Sequence, residues 1–83
     1  GLDLPKFKVV LSKNESISLI EALCKTELCK SKGEARRLIN GGGARINDRS
    51  FRDEDHVIQK SDFDKSGTLK ISSGKKNHAV LYI

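Results

Sequence analysis

Ser31-Lys32-Gly33-Glu34-Ala35-Arg36-Arg37-Leu38-Ile39-Asn40-Gly41-Gly42-Gly43-Ala44-Arg45-Ile46-Asn47 reads as a short capped helix, a glycine stop and the first strand of a sheet. Ser31 and Glu34 stand at the S-x-x-E spacing of a capping box, in which the serine oxygen accepts from the amide three residues on and the glutamate accepts from the serine's own amide. A helix therefore starts at Ser31. Ala35, Leu38 and Ile39 share one helical face, and the three glycines at 41–43 supply the left-handed backbone that ends a helix. Ala44 and Ile46 then alternate with Arg45 and Asn47, which predicts a half-buried strand that turns at Asn47-Asp48. Lys32 and Arg36 lie one turn apart beside the apolar face, Arg37 projects further round, and Arg45 follows on the strand. The unit presents cations from a buried anchor.

Upstream, Ser18-Leu19-Ile20-Glu21 repeats the capping spacing, and Ile20, Leu23, Cys24 and Leu28 recur with helical period, so a first helix is expected over about 18–27. Only a few residues separate it from the second helix, which makes the two close neighbours. Further upstream, Pro5 and the alternating Phe7, Val9 and Leu11 read as an extended lead-in touching the domain. Residues 1–15 are read as the end of an interdomain linker and 16–83 as the domain. Downstream, Val57-Ile58, residues 68–72 and residues 78–83 are rich in β-forming side chains, and the turn-forming 73–77 pairs the last two strands antiparallel. The fold class expected is α+β, with two short N-terminal helices on a small twisted, mainly antiparallel sheet of about four strands.

A chain of 83 residues is one small domain with little room for a catalytic cleft. Sixteen Lys and Arg against eleven Asp and Glu give a net charge of +5, and the pI near 9.4 suits an anionic partner, nucleic acid first. The excess is local. Residues 30–49 hold Lys30, Lys32, Arg36, Arg37, Arg45 and Arg49 against Glu34 and Asp48, whereas 53–64 hold five carboxylates against Lys60 alone. There is no methionine, so the chain reads as a piece of a longer protein, with Gly1 as a tag scar. No apolar run approaches the roughly 18 residues of a membrane span. A membrane partner is not expected.

Cys24 and Cys29 form no disulfide framework and read as reduced, semi-buried small apolar residues. With only His56 and His78 as further soft ligands, and no paired spacing, no metal is expected. Residues 62–67, Asp-Phe-Asp-Lys-Ser-Gly, imitate the first half of a calcium loop, but Ser73 at the twelfth position cannot supply the closing carboxylate. A polar turn is the expectation. Gly41-Gly42-Gly43 and Gly74-Lys75-Lys76 lack the spacing of a nucleotide phosphate loop. Neither histidine has a nucleophile in an orienting context, so catalysis within these residues is not expected. Phe7, Phe51, Phe63 and Tyr82 are too scattered for a base-stacking platform. Recognition through phosphates and the shape of a folded RNA fits better.

Residues 31–39 with Gly42-Gly43, Arg45, Asn47 and Asp48 resemble the S-four RNA-binding domain, or alpha-L motif, over about residues 16–82. The order Asp53-Glu54, Asp62-Phe63, Gly67, Leu69-Lys70-Ile71, Gly74-Lys75-Lys76, His78 and Val80 resembles the carboxy-terminal domain of bacterial-type tyrosyl-tRNA synthetases, and Leu4-Pro5 with Phe7 resembles the end of their linker. The resemblance implies a domain that grips the long variable arm and anticodon side of tyrosine tRNA. It also implies a cytoplasmic, homodimeric parent enzyme whose separate catalytic domains use ATP; this domain itself takes no cofactor. The family's HIGH and KMSKS signatures are absent here.

Carried over by the resemblance are Lys32, Arg36, Arg37 and Arg45 for phosphates, Ser31 and Gly43 at the turns, and Lys75 with Lys76 as a second patch. Ala35, Leu38, Ile39 and Ile46 are assigned to the core. Two positions depart from the family: Glu27 stands where it often has glycine, and Gly33 where it often has a polar residue, at a cost of roughly 1 kcal/mol of helix propensity against alanine. The same module in a pseudouridine synthase or ribosome-associated protein is the alternative. A basic protein-interaction module is the other.

Overall fold

The computed structural model describes residues 4–83; residues 1–3, the start of the lead-in with the Gly1 read as a tag scar, lie outside the described residues. The elements run β1 (Lys6–Lys8), β2 (Ser16–Ser18), α1 (Leu19–Lys25), α2 (Lys32–Asn40), β3 (Ala44–Ile46), β4 (Arg49–Ser50), β5 (Val57–Gln59), a 3-10 turn (Lys60–Asp62), β6 (Thr68–Ser73) and β7 (Asn77–Tyr82). This is the expected α+β arrangement. The main sheet has five strands in the order β1-β7-β6-β3-β4, all antiparallel except the β1–β7 pair.

Both helices begin as their sequences dictate. The Ser18 and Ser31 hydroxyl oxygens accept from the amides of Glu21 and Glu34 at 3.0 and 3.1 Å. The reciprocal glutamate bond of a full capping box is absent among the described residues. α2 ends in a Schellman turn: the Gly42 amide donates to Ile39 and the Gly43 amide to Leu38, both at 2.9 Å, with Gly42 at φ 79°. Only the middle glycine of the three takes the left-handed conformation. α1 is shorter than expected and gives way after Thr26 to Glu27 at φ 61°.

Leu19, Ala22 and Leu23 of α1 and Ala35 and Ile39 of α2 pack on the inward side of the sheet, against Ala44, Ile46, Leu69, Ile71, Ala79 and Leu81. Leu38, assigned to the core from its spacing, is only half-buried at its edge. The Gly43 turn accounts for this. A Cβ there would stand 2.6 Å from Leu38 Cδ1, so the leucine covers the turn rather than entering the core.

Two strands lie elsewhere than their patterns indicate. Val57-Ile58 leaves the main sheet to pair antiparallel with β2, with Ile17 opposite Ile58 and both buried. The lead-in enters the main sheet: β1 runs parallel to β7, and Val9, 3% exposed, donates its amide to Tyr82 at 2.9 Å. Three-residue strands carry too little alternation to reveal their partners. Asn47 and Asp48 both have positive φ, at 50° and 69°, as the two-residue turn joining β3 to β4 requires.

Candidate nucleic-acid interface

Because Ala35 and Ile39 anchor α2 inward, Lys32, Arg36 and Arg37 are left exposed. Among the described residues only Lys60 and Lys70 form ion pairs, with Glu15 and Asp48, so none of these three cations is neutralised by a neighbouring carboxylate. Lys32 occupies the first residue of α2, where the helix dipole disfavours a cation. Its presence there costs stability rather than adding it. Glu34 in the same turn offsets part of that repulsion.

At the other end of α2, the Arg52 guanidinium lies against Gly42: a Cβ at that glycine would be 2.9 Å from Arg52 Nη2. Arg52 places a further exposed cation beside the helix stop, where the dipole favours one. No spacing pattern links Arg52 to the second helix, so sequence reasoning missed it. The acidic stretch is drawn to the same end, since Asn40 Nδ2 donates to Glu54 Oε2 at 3.0 Å and Phe51 stacks on His56 at 4.3 Å.

Arg45 stands apart from the three helical cations. It projects from the sheet face opposite buried Ala44 and Ile46, between Ser50 on β4 and Ser72 on β6. Its Nε is buried without a hydrogen-bond partner among the described residues. Lys75 and Lys76 lie exposed on the β6–β7 turn, and Gly74 at the start of that turn bonds to Gly43. The structure thus joins Gly43 to the lysine turn, and separates both from Ser31 and Lys32 by the length of α2, about 13 Å at 1.5 Å per residue.

His78 holds the lysine turn in shape. Its Nε2 donates to the Lys75 carbonyl at 3.0 Å, and its Nδ1 is hydrogen-bonded to the buried Ser72 hydroxyl at 2.7 Å. This leaves no free ring nitrogen for acid-base work.

The calcium-like segment is committed to internal bonds. Asp62 Oδ2 accepts from the Gln59 amide, and the Asp64 carboxylate accepts from the Ser66 amide and from both the amide and hydroxyl of Thr68. Those bonds, the Thr68 amide foremost, hold the Asp64 carboxyl below its ordinary 3.8. Among the described residues no cluster of His, Cys, Asp and Glu is placed to hold a metal, and no helix is long and apolar enough to cross a membrane. Both cysteines are free; Cys29 is fully buried, deeper than its sequence indicates, and burial pushes its thiol up to about 11.

A family model described as "Tyrosine-tRNA ligase SYY-like C-terminal domain" matches residues 2–81. The tyrosine-tRNA ligase of Bartonella henselae is 39% identical over 82 residues, covering 98% of this chain and 20% of the relative. That of Zymomonas mobilis is 46% identical over 81 residues, covering 98% and 18%. That of Rhizobium meliloti is 40% identical over 80 residues, covering 95% and 19%. The chain spans about a fifth of the length of these relatives.

Proposed function

Because the chain belongs to the tyrosine-tRNA ligase C-terminal domain family, we propose that it is the noncatalytic tRNA-holding part of such an enzyme. In this reading the domain grips the long variable arm and anticodon side of tyrosine tRNA. It thereby helps place the acceptor end in a catalytic domain carried by the rest of a homodimeric, ATP-using parent. Residues 1–15 then lead in from that body. The observation that carries the reading is the row of Lys32, Arg36 and Arg37, exposed on a helix anchored by Ala35 and Ile39 and unneutralised among the described residues.

Phosphate recognition accounts for this arrangement on physical grounds. Three long cations on one short helix repel one another, and Lys32 also opposes the helix dipole; of the three only Arg37, in the last turn, is favoured by it. Bound phosphodiester oxygens offset that repulsion. Lys75 and Lys76 extend the positive surface at the far end of α2, and Ser31 and Gly43 hold the backbone at its two ends.

Competition between two RNAs tests the reading. Tyrosine tRNA with its long variable arm should displace a labelled copy of itself from the chain more effectively than a short-armed tRNA at the same salt. Equal competition would contradict recognition through the arm.

A further inference from the structure

We propose that the sheet face turned away from the helices is a second phosphate-binding surface, carried by Lys6, Lys8, Lys70 and Arg45 and occupied by the backbone of RNA. The register builds this face from strands distant in sequence. Val80 on β7 stands directly between Lys6 on β1 and Lys70 on β6. One step along, Tyr82 stands between Lys8 and Thr68; in the other direction Ser72 stands between His78 and Arg45. Directly opposed residues project to the same side, and positions two apart along a strand return to it. Lys6, Lys8, Lys70 and Arg45 therefore share one face, and their inward neighbours Phe7, Leu81, Leu69, Ile71, Ala44 and Ile46 face or border the core.

The charge on this face is one-sided. Of its ten outward strand positions four are cations and none is a carboxylate, although the chain as a whole holds eleven carboxylates against sixteen cations. The acid that meets the face is Asp48, on the adjoining turn, whose Oδ1 lies 3.1 Å from Lys70 Nζ. Half-buried Val80 and partly exposed Tyr82 lie between the lysines. Lys6 and Lys8 are two positions apart on β1, and Lys6 and Lys70 flank β7 on either side of Val80, so these like charges repel; the repeating charge of a phosphodiester backbone supplies anions to lie across them. Arg45 is half-buried on the same face, its Nε enclosed without a hydrogen-bond partner among the described residues. This surface is separate from the exposed side of α2, which lies beyond the core on the other side of the sheet.

The inference rests on the RNA-binding reading above, and the test keeps the two apart. Binding of a folded tyrosine tRNA transcript to the 83-residue chain is measured by filter retention across a salt series. Three proteins are compared: the unaltered chain, a helix variant with Arg36→Ala and Arg37→Ala, and a sheet variant with Lys6→Ala and Lys8→Ala, each checked for an unchanged circular-dichroism spectrum. Lys6 and Lys8 are exposed on an edge strand, so the sheet variant keeps its backbone pairing. If both faces hold phosphates, each variant lowers the magnitude of the log-affinity against log-salt slope, by about one unit per lost contact. A lower slope in the sheet variant alone also supports the second surface, and moves the binding off the helix. An unchanged slope in the sheet variant with a lowered one in the helix variant overturns the second surface and leaves the helical reading standing. Unchanged slopes in both overturn the two together.

Discussion

The amide of Gly74 donates to the carbonyl of Gly43 at 2.7 Å, tying the β6–β7 turn to the turn that follows α2. Two loops far apart in sequence thereby become one corner of the molecule, with Lys75 and Lys76 at it. Gly74 adopts φ 70° with open space where a Cβ would go, so alanine there meets backbone strain but no clash. Gly74→Ala should lower stability by about 1 to 2 kcal/mol. Gly33→Ala, on the exposed first turn of α2, should raise it by roughly 1 kcal/mol. Urea midpoints of the two variants moving in the same direction would contradict this assignment.

Burial separates two neighbouring apolar residues of α2. Ile39 is fully buried, whereas Leu38 is half-buried over the Gly43 turn. Ile39→Ala should cost about 2 to 5 kcal/mol, and Leu38→Ala less than half as much because fewer of its contacts are lost. Equal losses in urea denaturation would place both side chains in the core.

Glu27 closes α1 in the left-handed conformation, at φ 61°. An L residue with a Cβ carries about 1 to 2 kcal/mol of strain there, part of which glycine relieves before the added freedom of the unfolded chain is counted. Glu27→Gly should therefore raise the urea midpoint modestly. A fall would mean that the carboxylate contributes more than the strain it imposes.

Much of this architecture is legible in the residues. The Ser31 cap, the Ala35 and Ile39 face, the Asn47-Asp48 turn and the β6–β7 hairpin follow from local chemistry, because each depends on neighbours within a few positions. What is hidden depends on long-range pairing. Nothing in Lys6-Phe7-Lys8 shows that it will lie parallel to β7, and Val57-Ile58 reads like a main-sheet strand although Ile58 pairs with Ile17. The candidate interface divides in the same way. Lys32, Arg36 and Arg37 are read directly from helical spacing, whereas Arg52 reaches Gly42 only through the fold, and Arg45 joins Lys70 and the β1 lysines only once the register is set.

Acid should expose the role of Asp64. Its carboxyl is held below the ordinary 3.8 by the Thr68 amide first, then by the Thr68 hydroxyl, with the Ser66 amide adding to them. A group whose folded value is lowered contributes stability that is complete above the unfolded value and is lost as pH falls through the folded one. Asp64→Asn should accordingly lower the urea midpoint at neutral pH, and the gap from the unaltered chain should narrow as pH falls below 3.8. A gap that stays constant down to strong acid would show that the ionised carboxylate contributes nothing to this turn.

If the exposed cations on α2 hold RNA phosphates, tyrosine tRNA binding depends steeply on salt. With about four phosphates neutralised, log affinity should fall against log salt with a slope of roughly −3 to −4. Arg36→Ala with Arg37→Ala should leave stability nearly unchanged, since surface substitutions usually shift it by about 0.5 kcal/mol or less. The same variant should reduce the magnitude of the slope by about two units, one for each lost contact. A folded variant that binds with the same slope as the unaltered chain would contradict that role for the cations.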